Sequence, residues 1–378
     1  MWPAYRVRAR AVEASDELRW VLVRAFGPAE AAVPRAIDAP RAIVLARQLD
    51  VASRIATRHE LTLPDELGHE AARQLGFQRL QALALDRVLS ALRSEVVTAA
   101  AGLAIPVVLL KHAALRRSGW VQEGERNARD VDVLVPRARA SELQRQLNER
   151  GFRSGASAPS LHLPTLTRHP GEAVEIHHCL WGLRLAGSAR DMSAEDLISG
   201  RCEPASDGSF IPKAEVLAAH AIVHGLIQHR TSPRDYPAIR ALADLVVLGL
   251  SGNEVEARCQ EYVRHVASPA LTRAALRLSS ALRAGVDVFT LDRAGPEFQL
   301  LSHVVASSED DAYRRALRFE RILELRGLRD ASAALGRALG RRDSASTPGE
   351  PKNVLAEALE LARSAASYAA HRVRRGAR

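Results

Sequence analysis

Two short strand-like runs, at residues 106–110 and 129–135, constrain the fold of this chain more than any other feature. Each has the length of a buried strand, and the residues between them have room for a short helix. Two acids, Asp130 and Asp132, stand two positions apart in the second run. Because side chains alternate faces along a strand, both carboxylates are expected on one side. Adjacent carboxylates in an apolar strand repel each other, so the pair indicates a divalent cation.

A third acid, Glu175, lies in another strand-like segment at residues 173–177. If this strand lies beside the one that carries Asp130 and Asp132, three carboxylates converge. Such an all-oxygen site suits Mg²⁺, and two ions would hold the attacking and leaving oxygens of an in-line displacement at phosphorus. Glu175 could instead take the proton from an acceptor hydroxyl. The residues leave both roles open.

Basic residues surround the acids. Lys111 stands where the first strand gives way to a helix, and a helix N-terminus favours phosphate. Its ammonium would add a point charge for a triphosphate. Arg126 and Arg129 precede the acids and are expected to neutralise either a phosphate or the acids themselves.

Together these residues resemble the nucleotidyltransferase fold of the DNA polymerase beta superfamily. More narrowly, they resemble a bacterial family of uncharacterised nucleotidyltransferases. The matching motifs are Leu110-Lys111-His112, Arg126, Asp130-Val-Asp132-Val-Leu-Val135 and Glu175-Ile-His177. The resemblance implies that Asp130, Asp132 and Glu175 bind metal and that Lys111 lies by the nucleotide phosphates. Its motifs cover residues 90–250.

The family has Gly after the lysine, where this chain has His112. A glycine there lets the backbone approach phosphate closely. His112 would either donate a hydrogen bond to phosphate or obstruct it, so this position bears on catalysis rather than on the fold.

Histidines and one further acid predict an acceptor pocket. His177 shares a strand face with Glu175, and His220 and Asp244 match a loose helical pattern of the family. Asp244 stands on an apolar helix and needs a partner, either Arg240 one turn away or the acceptor. His220 and His224 have zinc-like spacing, but no third ligand is identifiable, so packing or hydrogen bonding is expected.

Helical periodicity before and after the strand-rich part predicts an α+β fold, with a mixed-sheet core between helical N- and C-terminal regions. The expected divisions are a helical N-terminal region, the α/β core, a helical C-terminal domain, a linker, and a C-terminal helix with a basic tail, at 1–100, 101–205, 206–341, 342–351 and 352–378.

Composition limits the setting of the protein. The net charge is +9, from 53 basic and 44 acidic residues, which is compatible with anionic partners but does not itself indicate nucleic acid. The three cysteines are far apart and show no CxxC spacing, so we expect a reducing, cytoplasmic setting rather than a disulfide framework. Nor is there a run of ~20 apolar residues that would cross a bilayer.

The predicted function is metal-dependent transfer of a nucleoside monophosphate from a nucleoside triphosphate, ATP among them, with release of pyrophosphate. The acceptor is a small molecule, a peptide or an RNA. Two alternatives stay open. One is a catalytically degenerate protein that binds a nucleotide or a partner. The other is a toxin-like enzyme that modifies tRNA or a protein, for which RNA binding would depend strongly on salt.

Overall fold

The computed structural model describes residues 12–155, 162–169, 171–229, 238–309 and 313. The described residues from 12 to 309 belong to one compact unit, which contains all the elements given below. The predicted linker at 342–351 and the C-terminal helix and basic tail at 352–378 lie outside the described residues. The expected domain boundaries stay a prediction.

A group of helices precedes the sheet: α1 (Asp16–Phe26), α2 (Ala39–Gln48), α3 (Ala52–His59), α4 (Leu63–Leu67) and α5 (His69–Gly102). Polar side chains begin the first two. The Ser15 hydroxyl accepts a hydrogen bond from the Leu18 N–H at 3.2 Å, and the Asp38 carboxylate accepts one from the Arg41 N–H at 3.1 Å. These caps satisfy N–H groups that have no partner within the helix. The long helix α5 packs against α3 and α4 and against the sheet.

A mixed sheet forms the centre of the molecule. Its strands are β1 (Val108–Leu109), β2 (Val131–Leu134), β3 (Arg153–Ser154), β4 (Leu166–Thr167), β5 (Ala173–His177), β6 (Cys202–Pro204) and β7 (Phe210–Pro212). Their spatial order is β3-β4-β5-β2-β1-β7-β6. β2 is parallel to β5 and antiparallel to β1, so the two strands that carry acids are neighbours at the middle of the sheet.

Short helices connect the strands: α6 (Lys111–Arg117), α7 (Ala140–Glu149) and α8 (Ala194–Ile198). The helical C-terminal part contains α9 (Ala214–Ala221), a π-helix (Ile222–Gln228), α10 (Ala238–Leu248), α11 (Asn253–Val263), α12 (Pro269–Arg283) and α13 (Pro296–Glu309). Helix α7 ends just before Gly151, whose φ of +93° an L side chain rarely adopts.

Apolar residues from both helical parts and from the sheet share one core. Trp20, Leu109, Leu134, Val174 and Leu245 are each at most 1% exposed and belong to it. The predicted α+β fold with a mixed sheet between helical parts is confirmed. None of the helices in the described part of the chain is both long enough and apolar enough to cross a bilayer.

Candidate active site

Asp132 and Glu175 lie side by side at the middle of the sheet. The parallel register of β2 and β5 pairs Asp132 with Glu175 and Leu134 with His177. Since alternate residues of a strand share a face, Glu175 and His177 lie on the face of Asp132. The structure thus brings Asp132 together with Glu175 and His177, which lie more than 40 positions later in the sequence.

One lysine joins this group from the neighbouring strand. Lys111 follows β1, and its Nζ lies 2.6 Å from Asp132 Oδ1 and 3.9 Å from Glu175 Oε2. His177 Nε2 donates to Asp132 Oδ1 at 2.9 Å and lies 3.6 Å from Glu175 Oε2. The Thr165 hydroxyl donates to the other Glu175 oxygen at 3.3 Å. Two carboxylates, an ammonium and an imidazole therefore form one contiguous polar cluster.

The charges of the cluster support one another. Burial raises the pKa of the Asp132 carboxyl, but Lys111 and His177 outweigh burial and hold the pKa below its usual range. Burial lowers the pKa of the Lys111 ammonium, but Asp132, Asp130 and Glu175 outweigh it and hold the pKa above its usual value. Asp132 and Lys111 are consequently both charged at neutral pH.

The donor atoms of this cluster fit a divalent cation. One atom each from Asp132, Glu175 and His177 lies within 4.8 Å of the other two. Two carboxylate oxygens suit Mg²⁺ or Mn²⁺, while an imidazole nitrogen is more favourable for Mn²⁺ and later metals than for Mg²⁺. The geometry thus adds His177 to the predicted carboxylate set, and the number and identity of the ions stay predictions.

Asp130 lies at the edge of the cluster. The sequence prediction that it belongs to the strand is wrong, because β2 begins at Val131 and Asp130 forms a bend. Before this bend the chain is held by contacts to helices rather than to a neighbouring strand. Burial, followed by the charge of Asp132, raises the pKa of Asp130 to about 7. Asp130 is half-buried and close enough to Asp132 to feel its charge.

Arg126 reaches the C-terminal helices. Its Nε donates to Asp244 Oδ1 at 2.9 Å and its Nη2 donates to Asp244 Oδ2 at 3.0 Å, which is a two-pronged pair. The suggested partner of Asp244, Arg240, is wrong, because the Nε of Arg240 donates to Asp50. Both charged side chains of α10 have partners outside their own helix. Arg129 is exposed.

His112 packs against α5. Its ring is 4% exposed, and its Nε2 donates to Asp86 Oδ1 at 3.0 Å. Asp86 also accepts from the Gly124 N–H at 3.0 Å and pairs with Arg116 at 2.9 Å. Burial lowers the pKa of His112, so its ring is neutral in this network. The ring thus fills the space between α6 and α5, next to a carboxylate.

A narrow crevice lies on the other side of Lys111. Lys111, His220, His224 and Asp244 line it together with apolar side chains such as Leu217. It offers about 10 Å³ to a water-sized molecule, which is room for about one water. Burial, and then the charges of Lys111 and His177, lower the pKa of His220 to about 3, so the imidazole stays neutral. The rings of His220 and His224 lie 5.5 Å apart.

Sequence reasoning missed several polar residues around the site. Asp86 is an isolated acid on an otherwise apolar stretch of α5, and this is the same sequence pattern that pointed to Asp244. No sequence pattern points to Asp50 or Asn127, because they are 77 positions apart and only the fold brings them to a hydrogen bond of 3.2 Å. Thr165 also could not be found, since its contact depends on the register of β4 and β5.

Comparison with known proteins assigns a family. A family model described as uncharacterised nucleotidyltransferase matches residues 35–281, which is more than half of the chain and includes every residue of the candidate site named above. The chain belongs to this family. The predicted family resemblance is thereby confirmed. Family membership supports a role in nucleotidyl transfer and implies a nucleotide substrate.

Among solved structures, the chain is similar to the solution structure of the antibiotic-resistance factor ANT(2'')-Ia. The TM-score is 0.34 and the sequence identity 18%, over 46% of this chain and 90% of that chain. No curated protein matches the chain.

Proposed function

We propose that this protein transfers a nucleoside monophosphate from a nucleoside triphosphate to an acceptor, with Asp130, Asp132 and Glu175 as the metal-binding acids. The observation that carries the proposal is the pairing of Asp132 with Glu175 on adjacent parallel strands, beside His177 and Lys111. Two neighbouring carboxylates in a largely buried setting are costly unless cations compensate them. Membership of a nucleotidyltransferase family gives this arrangement its chemical context.

The three acids would hold divalent cations, Mg²⁺ in the first instance and two of them by the chemistry proposed. Bound there, the cations would neutralise the phosphate oxygens and align the attacking and leaving oxygens at the α-phosphorus. His177 fixes the orientation of the Asp132 carboxylate through its 2.9 Å hydrogen bond. Thr165 does the same for Glu175.

Lys111 and Arg129 are the proposed phosphate-binding residues. The Lys111 ammonium is fully charged and lies at the carboxylates, where it would meet the charge that develops on the leaving pyrophosphate. Arg129 is exposed next to Asp130 and is free to reach the outer phosphates. Arg126 and His112, which the sequence also suggested for nucleotide binding, have buried partners on other helices. We assign these two a supporting role.

The reaction forms one bond and breaks one. The acceptor oxygen attacks the α-phosphorus, the bond from that phosphorus to the bridging oxygen breaks, and pyrophosphate leaves. The proton of the acceptor hydroxyl must go to a base, and Glu175 is the proposed base in the alternative in which Asp130 and Asp132 alone hold the metal. The crevice lined by His220 would seat the attacking hydroxyl, since a neutral imidazole accepts a hydrogen bond.

The acceptor class decides between the enzyme alternatives. Purified protein would be incubated in a cell lysate with each α-labelled nucleoside triphosphate in turn, ATP included, with magnesium. Label is expected on one molecule, and its size would separate a small molecule from a protein or a tRNA. Asp132→Ala should abolish the transfer, whereas Asp65→Ala, at an exposed acid of α4, should leave it unchanged. Binding of a triphosphate without any transfer would favour the degenerate binding protein.

A further inference from the structure

The loop of residues 121–130, here called the acid loop, joins α6 to β2 and ends at Asp130. Side chains from helices outside the sheet hold most of its length. Asp86 accepts from the Gly124 N–H, Arg54 pairs with Glu125 at 2.6 Å, Asp244 binds Arg126, and Asp50 accepts from the Asn127 side chain. The segment that leads into the acids is therefore positioned by the helical parts of the chain.

Helix α10 contributes one of these contacts directly and supports a second, through charges one turn apart. Asp244 binds Arg126 with both oxygens, and both side chains are largely buried, at 8% and 11% exposed. Arg240 pairs with Asp50, whose other oxygen accepts from Asn127. Asp50 itself has φ +58°, a left-handed conformation that few residues other than Gly, Asn and Asp adopt readily. Thus α10 holds residue 126 directly and residue 127 through Asp50.

We propose that Asp244, Arg240, Asp50 and Arg126 form a clamp that positions Asp130 relative to Asp132 and so sets the metal affinity of the site. This inference rests on the proposed function, because it takes Asp130 as a metal ligand. The four are positioning residues: none is required to contact the nucleotide. Arg126 and Asn127 stand four and three residues before the bend at Asp130, so the clamp acts on Asp130 through the loop.

The physical reason is the tolerance of a metal site. A carboxylate ligand displaced by a fraction of an ångström loses much of its coordination, and partners that orient ligands typically affect metal affinity about 10–100-fold. The sheet fixes Asp130 on one side only, since the ladder of β2 and β5 begins at Val131. The ion pairs to α10 hold the loop on the other side.

The test measures binding of Mn²⁺ alone, followed by the electron paramagnetic resonance signal of the free ion, so that no nucleotide need be known. Asp244→Asn and Asp50→Asn keep the shape of the side chains and remove the charges. Each is expected to weaken Mn²⁺ binding by about tenfold. The conservative Asp244→Glu and the charge-reversed double variant Arg126→Asp/Asp244→Arg should recover part of the affinity, because the ion pair is restored.

A matched control breaks a comparable pair elsewhere. Arg24 and Glu66 form a pair at 2.8 Å that is 8% and 17% exposed, on α1 and α4. Glu66→Gln should lower the melting temperature and leave Mn²⁺ affinity unchanged. If the double variant fails to fold, the comparison of Asp244→Asn, Asp244→Glu and Asp50→Asn decides the matter.

The outcomes separate the clamp from the proposed function. Asp132→Asn should lose Mn²⁺ binding. If it does, and Asp244→Asn and Asp50→Asn bind Mn²⁺ as the wild type does, the clamp is wrong and the metal site stands. If Asp132→Asn binds Mn²⁺ normally, both proposals are overturned. If Glu66→Gln weakens Mn²⁺ binding as much as the clamp variants do, the clamp residues contribute only to general stability and the clamp proposal is wrong.

Discussion

Replacing Lys111 by methionine tests the electrostatic balance of the cluster. In the wild type its Nζ lies 2.6 Å from Asp132 Oδ1, with the two side chains 12% and 2% exposed. Removing one partner of a buried ion pair costs about 3–5 kcal/mol, because the other charge stays buried. His177 still donates to Asp132, so we expect the lower end of that range.

The expected change in melting temperature follows from the size of the unit. The unfolding entropy is about 2.1 cal/mol/K per residue, and the unit has 311 residues. A loss of about 3 kcal/mol in the free energy of unfolding therefore lowers the melting temperature by roughly 5 °C. Thermal unfolding in a chelating buffer measures it. The control Lys213→Met, at an exposed lysine before α9, should unfold at the wild-type temperature.

Two further variants sharpen the result. Lys111→Met/Asp132→Asn should regain most of the lost stability, because neither charge is then left alone. Added Mg²⁺ should raise the melting temperature of Lys111→Met more than that of the double variant, since a cation that binds only the folded state stabilises it. A Lys111→Met protein that melts with the wild type in chelator would refute the reasoning.

Three other changes test separate parts of the structure. Asp86→Asn should lower the free energy of unfolding by about 2 kcal/mol in denaturant melts at pH 7. Burial raises the pKa of Asp86, but the hydrogen bonds from His112 and the Gly124 N–H and the charge of Arg116 outweigh burial and lower it, so this loss should shrink as the pH falls below about 4. His220 contributes acid sensitivity because its pKa of about 3 in the folded chain lies below the value in the unfolded chain. The unfolded chain therefore binds a proton that the folded chain does not, and the free energy of unfolding falls as the pH drops below about 6.5. His220→Gln should remove that part of the acid sensitivity, on the order of 1.4 kcal/mol per pH unit, in melts across a pH series. Arg129→Ala, at an exposed position, should weaken triphosphate binding in a titration while the melting temperature stays unchanged.

The centre of the site was predictable because it depends on local rules. Strand alternation puts Glu175 and His177 on one face, and the order of motifs along the chain identified Lys111, Asp132 and Glu175 before any contact was known. The mixed sheet followed from short apolar runs between helical stretches. These inferences use periods of two and 3.6 residues, which the sequence displays directly.

The surroundings of the site were not predictable, since they depend on pairs that are distant along the chain. Arg126 and Asp244 are 118 positions apart, and Asp50 and Arg240 are 190 apart. An isolated acid on an apolar helix shows only that it needs a partner, and the nearest candidate by helical spacing, Arg240, was the wrong one. The same limit applies to His112, whose partner Asp86 lies on a helix 26 positions away.

Magnesium-dependent binding of nucleoside triphosphates to the purified protein tests the central claim most directly, because it requires no acceptor. Calorimetric titration of each triphosphate, with magnesium and with a chelator, would be repeated for Asp132→Asn, Glu175→Gln and the control Asp65→Asn. The account predicts binding that needs magnesium, persists in Asp65→Asn and is lost in Asp132→Asn and Glu175→Gln. Binding that is indifferent to magnesium, or that survives loss of Asp132, would contradict it.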